Sequence, residues 1–269
     1  MDEMNGTLSR SRGRVTSGDG TPIAYERRGE GAPVILVGGA LCTGETERPL
    51  AELLAPRFSV VTYDRRGRGG SGDTGPYTVE REIDDLAALI DEVGGPVAVH
   101  GTSSGGALAL AAAAAGLPID RLSVYEPPFS AEAGGRETFG DHRRRLTGLL
   151  DRGRRAAALE LFLADAMAPE ALAGMRRSEM WPRLEAVAHT LAYDHAVLGD
   201  GGVPTERLGR IHACVLVVDG GSSPAWMRRA ARGVSTALPR GRHRTLTGQT
   251  HMVAPHVLAP VLEEFYEEE

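Results

Sequence analysis

The chain has 269 residues and a formal net charge of −6, long enough for one large domain, or one domain with an insertion, whose core needs no covalent staples. All 30 cationic residues are arginine, because the sequence contains no lysine; this excludes lysine Schiff-base chemistry and phosphate loops built on a Gly-Lys-Ser/Thr lysine. The acidic balance gives no global attraction to nucleic acid or anionic membrane, and the two cysteines, Cys42 and Cys214, supply neither a disulfide framework nor a multi-thiolate metal site.

The first residues, MDEMNGTLSRSRGR, are polar and lack the apolar stretch of a signal peptide. GRVTSGDGTPIAYERRG then reads as a hairpin turning at 18–20, followed by buried strands PVILVGG (33–39) and FSVVTYD (58–64). A helix is predicted over 79–93, a strand over 96–100 (PVAVH), and a helix over 104–115 that stops at Gly116 with Pro118 behind it. LSVYE (122–126) and CVLVVD (214–219) are further strands, with Cys214 expected as a small buried hydrophobe; a short strand-like piece, HRTLTG, precedes a closing helix over 255–266. Strands alternating with helices imply a mostly parallel, doubly wound α/β sheet, with sites at the carboxyl ends of the strands. Between 130 and 205 the alternation gives way to an Arg-rich helical stretch, which reads as an inserted cap; the expected division is a core of 1–129 and 206–269 with a cap of 130–205. No stretch is apolar for the length of a membrane span, so a cytoplasmic protein is expected, and the heavy Ala, Gly and Arg usage suggests a GC-rich bacterial genome.

HGTSSGG (100–106) contains Gly-x-Ser-x-Gly centred on Ser103, where a strand ends and an Ala-rich helix begins. A sharp strand-to-helix turn needs small neighbours, lifts a serine hydroxyl clear of the sheet, and aims the first helical N–H groups at a nascent oxyanion. GRGGSG (67–72) also fits a dinucleotide fingerprint, but Asp73-Thr74-Gly75-Pro76 follows where a helix should open. The histidines outside the late motif described below show no metal-ligand spacing, and no metal or cofactor is implied.

With DRRGRGGSG (64–72), GTSSGG (101–106) and GQTHMV (248–253) in this order, the chain resembles the α/β-hydrolases over nearly its whole length. The resemblance implies an α/β-hydrolase fold, a small-molecule substrate, Ser103 as nucleophile and His251 as general base, and histidine's ordinary pKa suits a proton shuttle near neutrality. It implies an oxyanion hole from the N–H groups of Ala40 and Ser104, with Leu41 as the fallback where the family often has His-Gly and this chain has Gly38-Gly39. The family's acid most often stands where this chain has Ser223. Two acids end strands nearby: Glu126, in YEPPF, is preferred, and Asp219 is the alternative. An acid at the strand after the elbow helix is similar to the arrangement in resorcylic lactone hydrolases, and implies an esterase or lactonase with a Ser-His-Glu triad; a serine nucleophile argues against the Asp-based dehalogenases and epoxide hydrolases of the fold. The competing expectation is a lyase, cyclase or binding protein that keeps the pocket without hydrolysis. Leu41, Trp181 and Met252 are expected to line an apolar substrate pocket.

Overall fold

In the computed structural model, which describes residues 9–268, eight strands form one sheet in the order β1-β2-β4-β3-β5-β6-β7-β8. The strands are β1 (Arg10–Thr16), β2 (Pro22–Arg28), β3 (Ala32–Val37), β4 (Phe58–Tyr63), β5 (Val97–Thr102), β6 (Ile119–Tyr125), β7 (Cys214–Gly220) and β8 (Gly241–Leu246). Strand β2 runs antiparallel to β1 and β4, and every pairing from β4 through β8 is parallel. This is the mostly parallel, helix-covered sheet anticipated from the alternation, and the fold that the resemblance to α/β-hydrolases implied.

The central strands are apolar on both sides because helices cover both faces. Ile35 and Val37 of β3 point into one core with α2 (Val79–Val93), α3 (Ser104–Ala114) and α10 (Ala225–Ala237). Val34 and Leu36 alternate into a second core with α1 (Arg48–Leu54) and α11 (Pro255–Glu267). Local chemistry sets the helix ends: Thr78 accepts the Arg81 N–H at 3.3 Å at the start of α2, and Gly94 closes it in the left-handed region at φ 78°.

Between β6 and β7 the chain forms α4 (Ala133–Leu150), α5 (Arg155–Ala164), α6 (Pro169–Arg176), α7 (Trp181–Val187), a 3-10 turn (Ala188–Thr190), α8 (Leu191–Leu198) and α9 (Thr205–Leu208). Leu146, Ala158, Leu159, Trp181, Ala188 and Leu191 make a third, separate apolar cluster. The segment leaves and re-enters the core at one place: the Ser130 N–H donates to the Gly201 carbonyl at 2.6 Å and the Val203 N–H to the Ser130 carbonyl at 3.3 Å.

Two helices escape the sequence reading. Helix α1 has seven residues and starts inside the Gly- and Thr-rich loop after β3; α10 is strongly amphipathic, burying Ala230, Ala231 and Val234 on one face, so its period was present in the sequence but went unread. Cys214 is half-buried rather than buried, because it opens β7 at the edge of the second core. GRGGSG is followed by turns until α2 begins at Val79, not by a helix.

Backbones approach closely at the start of α3, where a Cβ on Gly105 would lie 2.2 Å from the Val37 carbonyl oxygen and 2.6 Å from that of Gly38. Gly105→Ala therefore has to push α3 away from the end of β3. It is expected to lower stability by about 2 kcal/mol or more, read as a lower urea midpoint with an unchanged slope.

Candidate active site

The parallel register of β5, β6 and β7 delivers three strand ends to one edge. Past β5, Ser103 adopts φ 55° and ψ −126°, a conformation that costs a non-glycine residue free energy and persists only when its surroundings hold it. They do so here: the Ser103 N–H donates to the Tyr125 carbonyl at 2.8 Å, and small residues crowd behind it.

Past β6, Glu126 also takes a positive φ, 45°, with its N–H on the Val218 carbonyl at 3.0 Å. Its side chain is buried. Oε1 accepts the Gly220 N–H at 2.8 Å and Oε2 lies 2.8 Å from His251 Nδ1. Burial alone would raise this carboxyl's pKa; the His251 hydrogen bond, the nearby Ser223 hydroxyl and the Gly220 N–H outweigh it and hold Glu126 below the ordinary glutamate range. Ser223 is itself buried and has no partner within strict hydrogen-bond limits, so its help is one of proximity.

The other acid goes elsewhere. Asp219 Oδ2 lies 3.0 Å from His243 Nε2, across the β7–β8 register, and among the described residues forms no hydrogen bond or ion pair with His251. His100, in β5, is fully buried between Ser123 and Thr102, and burial pushes its pKa down to about 3.

With Nδ1 taken by Glu126, His251 leaves Nε2 as its working nitrogen; the imidazole side chain is 32% exposed. Its loop is pinned by Tyr125, whose hydroxyl donates to the Thr250 carbonyl at 2.5 Å, and by the Ser222 N–H on the Gln249 carbonyl at 2.8 Å. Ser103 Oγ and the imidazole are not hydrogen-bonded, a contact that is commonly long before substrate arrives. Across Ser103, a Cβ on Gly39 would stand 3.0 Å from Ser103 Cβ, so glycine lets the loop after β3 come this close. The Ala40 N–H donates to no backbone acceptor among the described residues, and Ser104, the first residue of α3, has no intrahelical acceptor for its own N–H.

A model of the alpha/beta hydrolase family matches residues 34–263, a span that takes in all of these strand ends. The chain belongs to the alpha/beta hydrolase family. It is similar to an alpha/beta hydrolase from Sphaerobacter thermophilus, 54% identical over 94% of this chain and 100% of that one, with a TM-score of 0.88. An esterase from Thermogutta terrifontis (23% identical, 95% and 98% of the two chains, TM-score 0.74) and a bromoperoxidase from Bacillus anthracis (20%, 96% and 100%, TM-score 0.73) share the fold.

In this α/β-hydrolase the expected pocket residues separate. Trp181 is buried in the cluster of the inserted helices, and Ala40 and Leu41 pack against that same cluster. Met252 is 85% exposed: with His251 turned in toward Glu126, its neighbour projects to solvent, and Met252 is removed from the pocket. Among the described residues no group of three or more His, Cys, Asp or Glu can hold a metal ion, and no helix is long and apolar enough to cross a membrane.

The sequence reading missed the arginines. Arg65, Arg66 and Arg68 are each about 1% exposed. Arg66 is clamped by Asp85 at 2.6 and 2.7 Å and by Asp19 at 3.0 Å. Arg65 pairs with Glu82 at 2.6 Å and Asp194 at 2.8 Å, and Arg68 with both oxygens of Asp194 at 2.9 Å. DRRGRGGSG carried a signal in its density of charge beside glycine, but nothing in the sequence marks Asp194, 126 residues beyond Arg68, as the partner.

Glu47 is a different buried acid. It closes the loop after β3, is 9% exposed, and has no ion-pair partner among the described residues. Burial raises its pKa from 4.5 to about 7. A carboxyl whose folded pKa is raised contributes stability that is full below its unfolded pKa and is lost as pH climbs through the folded value. Glu47→Gln, which imitates the protonated acid, is expected to match the native protein near pH 4.5 and to exceed its stability above pH 7 by roughly 3 kcal/mol at most, measured by urea unfolding across that window. A difference that does not change with pH would sink this reading.

Proposed function

We propose that this protein is a serine hydrolase that cleaves a carboxylic ester or lactone through an acyl-enzyme, with Ser103, His251 and Glu126 as its triad. The observation that carries the reading is a serine at a strained turn (φ 55°) past the end of β5, together with a 2.8 Å imidazole–carboxylate pair between residues past the ends of β8 and β6.

The steps follow from these positions. Ser103 Oγ attacks the carbonyl carbon while His251 Nε2 takes the hydroxyl proton; Glu126, already ionised, fixes the imidazole's orientation and balances the imidazolium. The oxygen of the tetrahedral adduct is received by the N–H groups of Ala40 and Ser104. Collapse breaks the carbon–oxygen bond to the leaving alcohol, which receives the proton from His251. Water, deprotonated by the same nitrogen, then repeats the attack on the acyl carbon and frees Ser103. In a lactone the alcohol remains attached to the acid, so ring opening is the same chemistry with one product.

The helices between β6 and β7 act in this reading as a cap. Ala40 and Leu41 pack against its apolar cluster, which includes Leu159 and Trp181, so the wall nearest the oxyanion loop is hydrocarbon and aromatic. That favours a substrate with an apolar acyl or ring portion and few charges, in keeping with the likeness to resorcylic lactone hydrolases in the placing of the acid.

A fluorophosphonate ester is expected to label native protein at Ser103 and to leave Ser103→Ala unlabelled. Intact, folded protein that takes no label and hydrolyses no activated ester returns the site to non-hydrolytic chemistry.

For the acid, Glu126→Gln is expected to lose about a hundredfold or more in kcat/KM, since an amide neither fixes the tautomer nor balances the charge. Asp219→Asn, which alters only the His243 pair, stays within a few-fold of native; the reverse order would move the assignment to Asp219.

A further inference from the structure

Behind the nucleophile, one carboxylate on the inserted helices reaches both halves of the oxyanion hole. Asp194, on α8, is 4% exposed. Its Oδ1 accepts the Ser104 hydroxyl at 2.7 Å and Arg65 Nη1 at 2.8 Å, and the carboxylate receives Arg68 Nη2 at 2.9 Å on both oxygens. The two guanidiniums continue to the loop after β3. Arg68 Nη1 donates to the Gly39 carbonyl at 2.6 Å and the Cys42 carbonyl at 3.3 Å, and Arg65 Nη1 to the Gly38 carbonyl at 3.2 Å.

The Gly39 carbonyl belongs to the same peptide group as the Ala40 N–H. That peptide is trans, so its C=O and N–H point in opposite directions. A cation holding the carbonyl fixes the plane, turns the N–H away from the guanidinium, and polarises it into a stronger donor. Ser104, the other donor, is tied by its hydroxyl to the same carboxylate. We infer that Asp194 is a positioning residue for the oxyanion hole: through Arg68 it sets the Ala40 peptide and through its own hydrogen bond it sets Ser104, so the inserted helices help to assemble the site they cover.

The inference rests on the serine-hydrolase reading, and the test separates the two. Asp194→Asn keeps the side chain's shape and removes its charge; Asp85→Asn does the same to the Arg66 pair on the same loop, which touches neither oxyanion donor. Rates are expressed per active site titrated with the fluorophosphonate, so loss of folded protein drops out. For Asp194→Asn, kcat per site is expected to fall about tenfold or more while KM stays nearly constant. The inhibition constant of a substrate-like trifluoromethyl ketone should rise by the same factor, because its adduct and the transition state place an oxyanion in the same hole.

Asp85→Asn loses stability and keeps its kcat per site. A kcat per site in Asp194→Asn equal to or above native overturns the inference, since the surplus positive charge left on the arginines would then matter more than the geometry. If Asp194→Asn does not accumulate as folded protein, Ser104→Ala removes only the hydroxyl arm and is expected to lower kcat per site by about threefold or more; no change there also overturns it. The amide resonance of Ala40 in nitrogen–proton correlation spectra gives a readout that needs no activity. It should move in Asp194→Asn and stay in Asp85→Asn. An unlabelled native protein therefore counts against the hydrolase reading, and an unmoved Ala40 amide against the positioning role.

Discussion

The site depends on a sheet ladder that runs one residue past its strands. Strand β5 ends at Thr102 and β6 at Tyr125, yet the Ser103 N–H still reaches the Tyr125 carbonyl and the Glu126 N–H still reaches the Val218 carbonyl. Each bond belongs to the residue at which the backbone then turns to positive φ, 55° at Ser103 and 45° at Glu126. The sheet thus holds both turns at their first peptide. Strain of this kind costs about 1 to 3 kcal/mol per residue and persists only where the surroundings over-determine it; parallel strands in fixed register supply that determination, and the spacing between serine and acid follows from it.

Charge supplies the second frame. Three arginines without water are costly, and each is retained only because carboxylates and carbonyls take up its donors. Their partners come from the β1–β2 turn, the loop after β3, α2, α3 and α8. An apolar core could pack these pieces at similar stability, but it would not point particular carbonyls in particular directions. Guanidinium geometry does, with five donors in a rigid fork. This accounts for a chain that is acidic overall burying Arg65 and Arg68 against the loop after β3 that faces Ser103, and for the absence of lysine from a role that a flexible point charge fills poorly.

Much of this was readable in advance, for identifiable reasons. The β-branched runs and the Gly/Pro punctuation report local physics, so β3, β4, β7 and the span of α2 emerge from the sequence within a few residues. The elbow was readable because its demand for small side chains is local too. Helix α1 was not, being too short for a period, whereas the amphipathic period of α10 lay in the sequence unread. Met252 was misplaced because neighbouring residues in a loop face different ways, and sequence adjacency to His251 says nothing about direction. Asp194 was out of reach altogether: a buried pair between α8 and the loop after β4 is a long-range contact with no periodic trace.

The displaced acid combines both kinds of information. A carboxylate missing at Ser223 is a local fact; that Glu126 can replace it depends on β6 and β7 being neighbours, with Tyr125 opposite Val218. Ser223 lies beside Glu126, and the exchange has a physical consequence for the vacated position. A second carboxylate at 223 would stand beside Glu126, and two like charges sharing one cation push one of the pair toward protonation. A hydroxyl avoids that repulsion, fills the buried space, and lends a weak positive end of a dipole to the acid next to it. With Glu126 holding His251, position 223 is free of its usual charge for the same reason that Glu126 is able to keep its own.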